Sequence, residues 1–149
     1  SERFDERLRF WEGLIALCRS RKTRHADRKP GSHHWLGGGS GKRGLGLNYT
    51  IVQDYGIVEL YIDRGDAAKN KRIFDQLYAN KTQIEESFGG PLQWDRLDDK
   101  RACRIKRVVD LGGYRSPQSE WPPIQTAMVD AMTKLEVAIL PLIDSLNFS

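Results

Sequence analysis

The stretch YGIVELYIDRGDAAKNKRIFDQLYANKTQIEESFGG, residues 55–90, joins a strand to an amphipathic helix and decides the fold class. Over residues 55–63, Val58, Leu60 and Ile62 alternate with Ile57, Glu59 and Tyr61, the two-residue period of a pleated strand with one buried face. Asp66 suits an N-cap, because its carboxylate can accept an orphan N–H of the first helical turn. The helix that follows collects Ile73, Phe74, Leu77, Ile84 and Phe88 on one side and leaves Lys69, Asn80 and Glu86 to water. Gly89-Gly90-Pro91 ends it, since glycine tolerates the left-handed C′ position and proline cannot continue the ladder.

Outward from that unit, residues 45–54 (LGLNYTIVQD) read as a strand with Leu45, Leu47, Tyr49 and Ile51 on one face. The turn at residues 54–56 pairs it with residues 55–63 as an antiparallel hairpin. A second pair follows the helix. Residues 92–97 carry Leu92 and Trp94 inward, residues 98–101 form a polar turn, and residues 102–111 bring Cys103, Ile105 and Val109 to the same side. Asn48, Thr50, Glu59, Tyr61, Arg104 and Lys106 then point outward. A first helix over residues 1–19 spaces Phe4, Leu8, Trp11, Ile15 and Cys18 at three and four. A last one begins near Glu120, tolerates Pro122 and Pro123 in its first turn, and carries an apolar stripe from Ile124 to Leu146. Pro141 is expected to bend that helix or cut it near residues 138–140.

The order is thus α-ββ-α-ββ-α, an α+β class with a four-stranded, mainly antiparallel sheet and its helices packed on one face. With 149 residues there is room for one domain, residues 1–149. The absent initiating methionine suggests a C-terminal fragment of a longer protein. A hydrophobic content of 39% with 30% charged residues suits a folded, cytoplasmic chain, and no apolar run approaches the ~20 residues that cross a bilayer. Cys18 and Cys103 are too few for a disulfide scaffold and read as buried thiols in a reducing compartment.

Residues 20–46 form a basic, glycine-rich loop that holds half of the chain's 14 glycines. It reads as irregular except around residues 32–36, where Trp35 is expected to pin it to the body. Its histidines, His25, His33 and His34, lack the cysteines and spacing of a zinc site and read as solvated. The run GGGSGKRG precedes a strand rather than a helix, so a nucleotide P-loop is excluded by context. Asp98-Asp99-Lys100 resembles the acidic part of a metal-dependent nuclease motif, but it falls in a hairpin turn. No catalytic residue, metal or cofactor is assigned.

The basic cluster stands above this background. Arg19, Arg21, Lys22, Arg24, Arg28 and Lys29 precede Trp35, with Lys42 and Arg43 beyond and Arg104 and Lys106 outward on the sheet. Cationic side chains beside an aromatic suit a phosphate backbone, through counterion release and stacking. The plainer alternative is a solvated surface loop, and the net charge of +4 permits either.

The segments RFWEGLIALCRSR, SHHWL, IVELYID, residues 71–108 and EWPPIQTAMVDAMTKLEVAI resemble an uncharacterised bacterial domain family along nearly the whole chain. The motif Phe-Asp-x-Leu-Tyr-x-x-Lys-x-x-Ile-Glu at residues 74–85 carries the resemblance. Members of that family commonly follow a PD-(D/E)XK nuclease-like domain in the same polypeptide. The resemblance therefore implies a non-catalytic accessory module that aids nucleic-acid binding, with DNA and an upstream nuclease-like domain as partners in restriction or defence. A protein-interaction or homodimerisation domain, using the apolar stripe of the last helix, is the alternative. No membrane partner is expected.

Overall fold

The computed structural model describes residues 2–148. Helix α1 spans Glu2–Arg21, followed by strands β1 (Trp35–Leu36), β2 (Leu45–Ile51) and β3 (Gly56–Ile62), and then helices α2 (Ala67–Tyr78) and α3 (Lys81–Phe88). Strands β4 (Gln93–Asp95) and β5 (Cys103–Val109) and helix α4 (Trp121–Ile143) complete the chain. The class is α+β as expected, but the antiparallel sheet has five strands in the order β1-β2-β3-β5-β4 rather than four. The extra strand is short. Trp35 and Leu36 pair with Thr50 and Tyr49, so a piece of the loop satisfies the outer edge of β2.

Alternation in β2, β3 and β5 sets the two faces apart. Leu45, Leu47, Tyr49, Ile51, Val58, Leu60, Ile62, Cys103, Ile105 and Val109 join one core with the helices. Each fully buried leucine or isoleucine there contributes about 1.5–3 kcal/mol. Helix α4 lies across the sheet, and the stripe Ile124, Met128, Leu135 and Ile139 is buried inside the chain's own core. Most of the stripe offered for a subunit boundary is thus already covered, and Ala131, Leu142 and Leu146 are half-buried against the same core. Helix α1 packs on α4 through Phe10, whose ring meets Trp121 edge-on at 5.4 Å, while Gln125 Nε2 donates to Phe10 O at 2.9 Å. The apolar face of α1 runs through Phe10, Trp11, Leu14, Ile15 and Cys18, and Phe4 is 42% exposed. Residue 1, expected in this helix, lies outside the described residues.

The single helix expected after Asp66 is two helices. Asp66 is the N-cap, accepting Lys69 N–H at 2.9 Å, and Gly89 closes the second with φ at 94°. Between them Asn80 turns its side chain back, its Nδ2 donating to Gln76 O, while its own N–H bonds Leu77 O three residues back. That competition interrupts the ladder. Pro141 was expected to bend the last helix or cut it near residues 138–140; α4 is not cut there and continues to Ile143. Proline has no N–H to return to the carbonyl of Val137, and Val137 is 64% exposed, where water can reach. Gly113 docks the segment after β5 onto the β2–β3 turn. A side chain there would strike the Val52 carbonyl, which accepts Tyr114 N–H at 3.0 Å. Both cysteines are buried free thiols, and among the described residues no helix is long and apolar enough to cross a membrane.

Candidate nucleic-acid interface

The face of the sheet turned from the helices is polar, and strand register arranges it in rows. Asn48 stands opposite Glu59, Glu59 opposite Lys106, and Lys106 opposite Gln93. In the next row Tyr61 faces Arg104, which faces Asp95. At the β1 edge Trp35 faces Thr50. Of these, Trp35, Asn48, Thr50, Glu59, Tyr61 and Arg104 line, with His34, a cleft of about 420 Å³, within the range of small-ligand sites.

Glu59 is the unusual member. It comes from the apolar run IVELYI and is only 3% exposed. Burial pushes its carboxyl above the ordinary range, against the pull of Arg104 and Lys106 and with a further push from Asp95. Thr50, beside it on the cleft wall, also pulls the carboxyl down. The Glu59 Oε2 and the Arg104 Nε are buried, have no hydrogen-bond partner among the described residues, and lie 3.6 Å apart. The Arg104 guanidinium also sits 5.2 Å from the Tyr61 ring centroid. Lys106 pairs with Asp95 at 3.1 Å, which leaves Arg104 as the cation nearest the buried acid.

Trp35 does not pin the loop. It is 50% exposed at the rim of the cleft, with its indole stacked on the His33 imidazole at 5.8 Å and 14°. The pins are elsewhere. Leu36 is buried, Trp11 Nε1 donates to His33 O at 2.8 Å, and the Ile51 and Leu47 N–H groups reach His34 O and Gly38 O. His25, read as solvated, is fully buried; its Nε2–H donates to Leu47 O at 2.8 Å and its ring lies 4.6 Å from Tyr49. Burial lowers its pKa, with Arg24 and Arg28 adding to the effect and the Leu47 bond opposing it. Residues 20–46 are therefore hydrogen-bonded against the body, because the edge of β2 supplies partners for an otherwise unpaired backbone.

The basic residues divide into two groups. On the α4 side Arg21 pairs with Asp130 at 2.6 Å, Arg24 with Glu136 at 2.8 Å, and Arg19 donates to Ala26 O. Lys22, with φ at 56°, lies on that side beside Thr133. On the sheet side, Lys42 and Arg43 border a shallow depression that also includes Tyr61, so the glycine-rich turn and the cleft meet at that ring. Among the described residues no carboxylate pairs with Lys22, Arg28, Lys29, Lys42 or Arg43. Asp98 lies in the β4–β5 turn and pairs with Arg96. Among the described residues no three His, Cys, Asp or Glu side chains converge as a metal group would need.

Tyr61, Glu59, Asn48 and Thr50 were legible as outward residues, but not as one cleft. The available signal was a glutamate set amid an otherwise apolar strand. No curated protein and no solved structure matches the chain. A family model described as a domain of unknown function (DUF4268) matches residues 6–143, and the chain belongs to that family.

Proposed function

We propose that this domain is a nucleic-acid-binding accessory module whose contact surface is the uncovered sheet face together with the glycine-rich turn beside it. Its setting is a longer bacterial protein with a nuclease-like domain acting in restriction or defence, and DNA is the intended partner. The observation that supports it best is the continuity at Tyr61. There an aromatic cleft rimmed by the half-exposed Trp35 adjoins Lys42 and Arg43, two cations that no carboxylate neutralises among the described residues. Free cations supply the salt-dependent affinity, and aromatic rings supply contacts that do not depend on sequence.

Arg21 and Arg24 are assigned a different part. Their partners Asp130 and Glu136 hold them against α4, so they contribute less to a phosphate track than charge counting suggests. The test is the salt dependence of binding to a single-stranded oligonucleotide. Lys42→Ala with Arg43→Ala should lower the slope of log K against log salt by about 1.4, from ~0.7 per phosphate contact. An unchanged slope, or no binding by the wild type at low salt, would overturn the reading.

A further inference from the structure

We infer that the cleft between Trp35 and Arg104 receives one unpaired nucleobase, whose edge is read by the Glu59 carboxylate and the Arg104 guanidinium side by side. This rests on the nucleic-acid reading above and adds to it what part of the strand is bound, and where. The argument begins with two buried atoms that lack partners. Glu59 Oε2 accepts only, when ionised, and Arg104 Nε–H donates only. At 3.6 Å they meet the distance of an ion pair but not of a hydrogen bond, so the pair satisfies neither group fully, and both residues line the cleft. An acceptor and a donor at that separation call for a ligand that presents a donor next to an acceptor. Base edges do so: an amino or imino N–H lies beside a ring nitrogen or carbonyl oxygen.

The alternatives fit less well. A phosphate oxygen would meet Arg104 but would be repelled by Glu59, which is almost fully buried and cannot turn away. A cation would meet Glu59 but would be repelled by Arg104. A planar, neutral group with both polarities on one edge satisfies the two together. The walls suit such a group as well. Trp35 is half exposed at the rim and backed by His33, and Tyr61 stands across from Arg104. A base stacked on either ring would bring its own phosphates towards Lys42 and Arg43, which border Tyr61 on the other side. Duplex DNA cannot insert a base without unpairing it, so the cleft selects single-stranded or locally opened DNA.

The experiment compares three fluorescein-labelled probes at low salt: a 12-nucleotide mixed-sequence DNA strand, the same length made entirely of abasic units, and the blunt duplex. The intact strand should bind at least ~5-fold more tightly than the abasic one, the lower end of one base stacked on an aromatic ring. Glu59→Leu and Trp35→Ala, each checked for a cooperative melting transition, should each bring the ratio of intact-strand to abasic binding towards one. Equal binding of intact and abasic strands by the wild type overturns the inference while leaving the phosphate reading in place. A preference that persists in both variants also overturns it, because the base would then be bound elsewhere. Failure of every probe to bind overturns both readings.

Discussion

Glu59 Oε2 and Arg104 Nε face each other at 3.6 Å on the helix-free side of the sheet, and among the described residues neither is satisfied by a hydrogen bond. Leaving buried polar atoms unpartnered costs stability, typically about 1–3 kcal/mol for each group. The arrangement is therefore where a binding role and folding stability pull against one another, and it should be visible in the pH dependence of melting.

Burial raises the Glu59 carboxyl above its unfolded value of 4.5. A group with a raised pKa gives its full stabilisation below the unfolded pKa and loses it as pH rises through the folded one. Glu59→Gln, which cannot ionise, should melt about 2–5 °C above the wild type near pH 8. The difference should shrink towards zero near pH 4. A variant that melts lower at pH 8 would mean that the ion pair with Arg104 outweighs the burial cost.

His25 has the opposite sign. Burial, with Arg24 and Arg28 nearby, depresses its pKa below the unfolded 6.5, so its contribution is present above that value and fades as the solution is acidified. The wild type should lose stability progressively below pH 6.5. His25→Gln keeps an Nε2–H for Leu47 O but has no titrating ring, and should lose that part of the slope. The substitution itself should cost about 1–3 kcal/mol through the lost contact with Tyr49. Parallel melting curves for the two proteins between pH 7 and 5 would refute the assignment.

Glu85 ties α3 to β4. Its carboxylate pairs with Lys81 at 2.8 Å and accepts the Leu92 N–H at 2.8 Å and the Trp94 indole N–H at 3.1 Å. The Lys81 bond, followed by those two, holds its pKa down to about 2. Glu85→Ala should cost about 1.5–3 kcal/mol at pH 7 in denaturant titration, the usual scale for hydrogen bonds to a charged group. The stabilisation exists above 4.5 and disappears as pH falls towards 2, so the two proteins should converge over that interval. A constant difference would point to packing instead.

Asn70 clamps the start of α2 to the end of β3 and the β4–β5 loop. It is fully buried; its Oδ1 accepts Arg64 N–H at 2.8 Å, and its Nδ2 donates to Arg101 O at 3.0 Å and to Asp63 at 3.2 Å. Asn70→Ala strands a backbone donor and an acceptor, and should destabilise the chain by about 2–4 kcal/mol. A loss below ~0.5 kcal/mol, the level of ordinary surface changes, would show that water replaces the side chain.

Much of this architecture was legible because local chemistry and tertiary structure agree. Alternation placed Val58, Leu60 and Ile62 inward, Asp66 and Gly89 marked helix ends through backbone capping, and Arg104 and Lys106 were read outward as they stand. The short β1 was not legible, because two residues hold no period. Nor was the break at Asn80, where a side-chain bond to the backbone competes with an otherwise good helical pattern.

The sequence by itself determined which residues face the core and which face outward, since side-chain period follows from backbone geometry alone. Only the tertiary structure decided what the outward residues do. Arg21 and Arg24 counted as free charge until Asp130 and Glu136, more than a hundred positions away, came within 2.8 Å or less. Glu59 was one polar residue among several until Trp35, Tyr61 and Arg104 closed around it. Burial and ion pairing depend on distances between segments remote in the chain, and no local pattern encodes them.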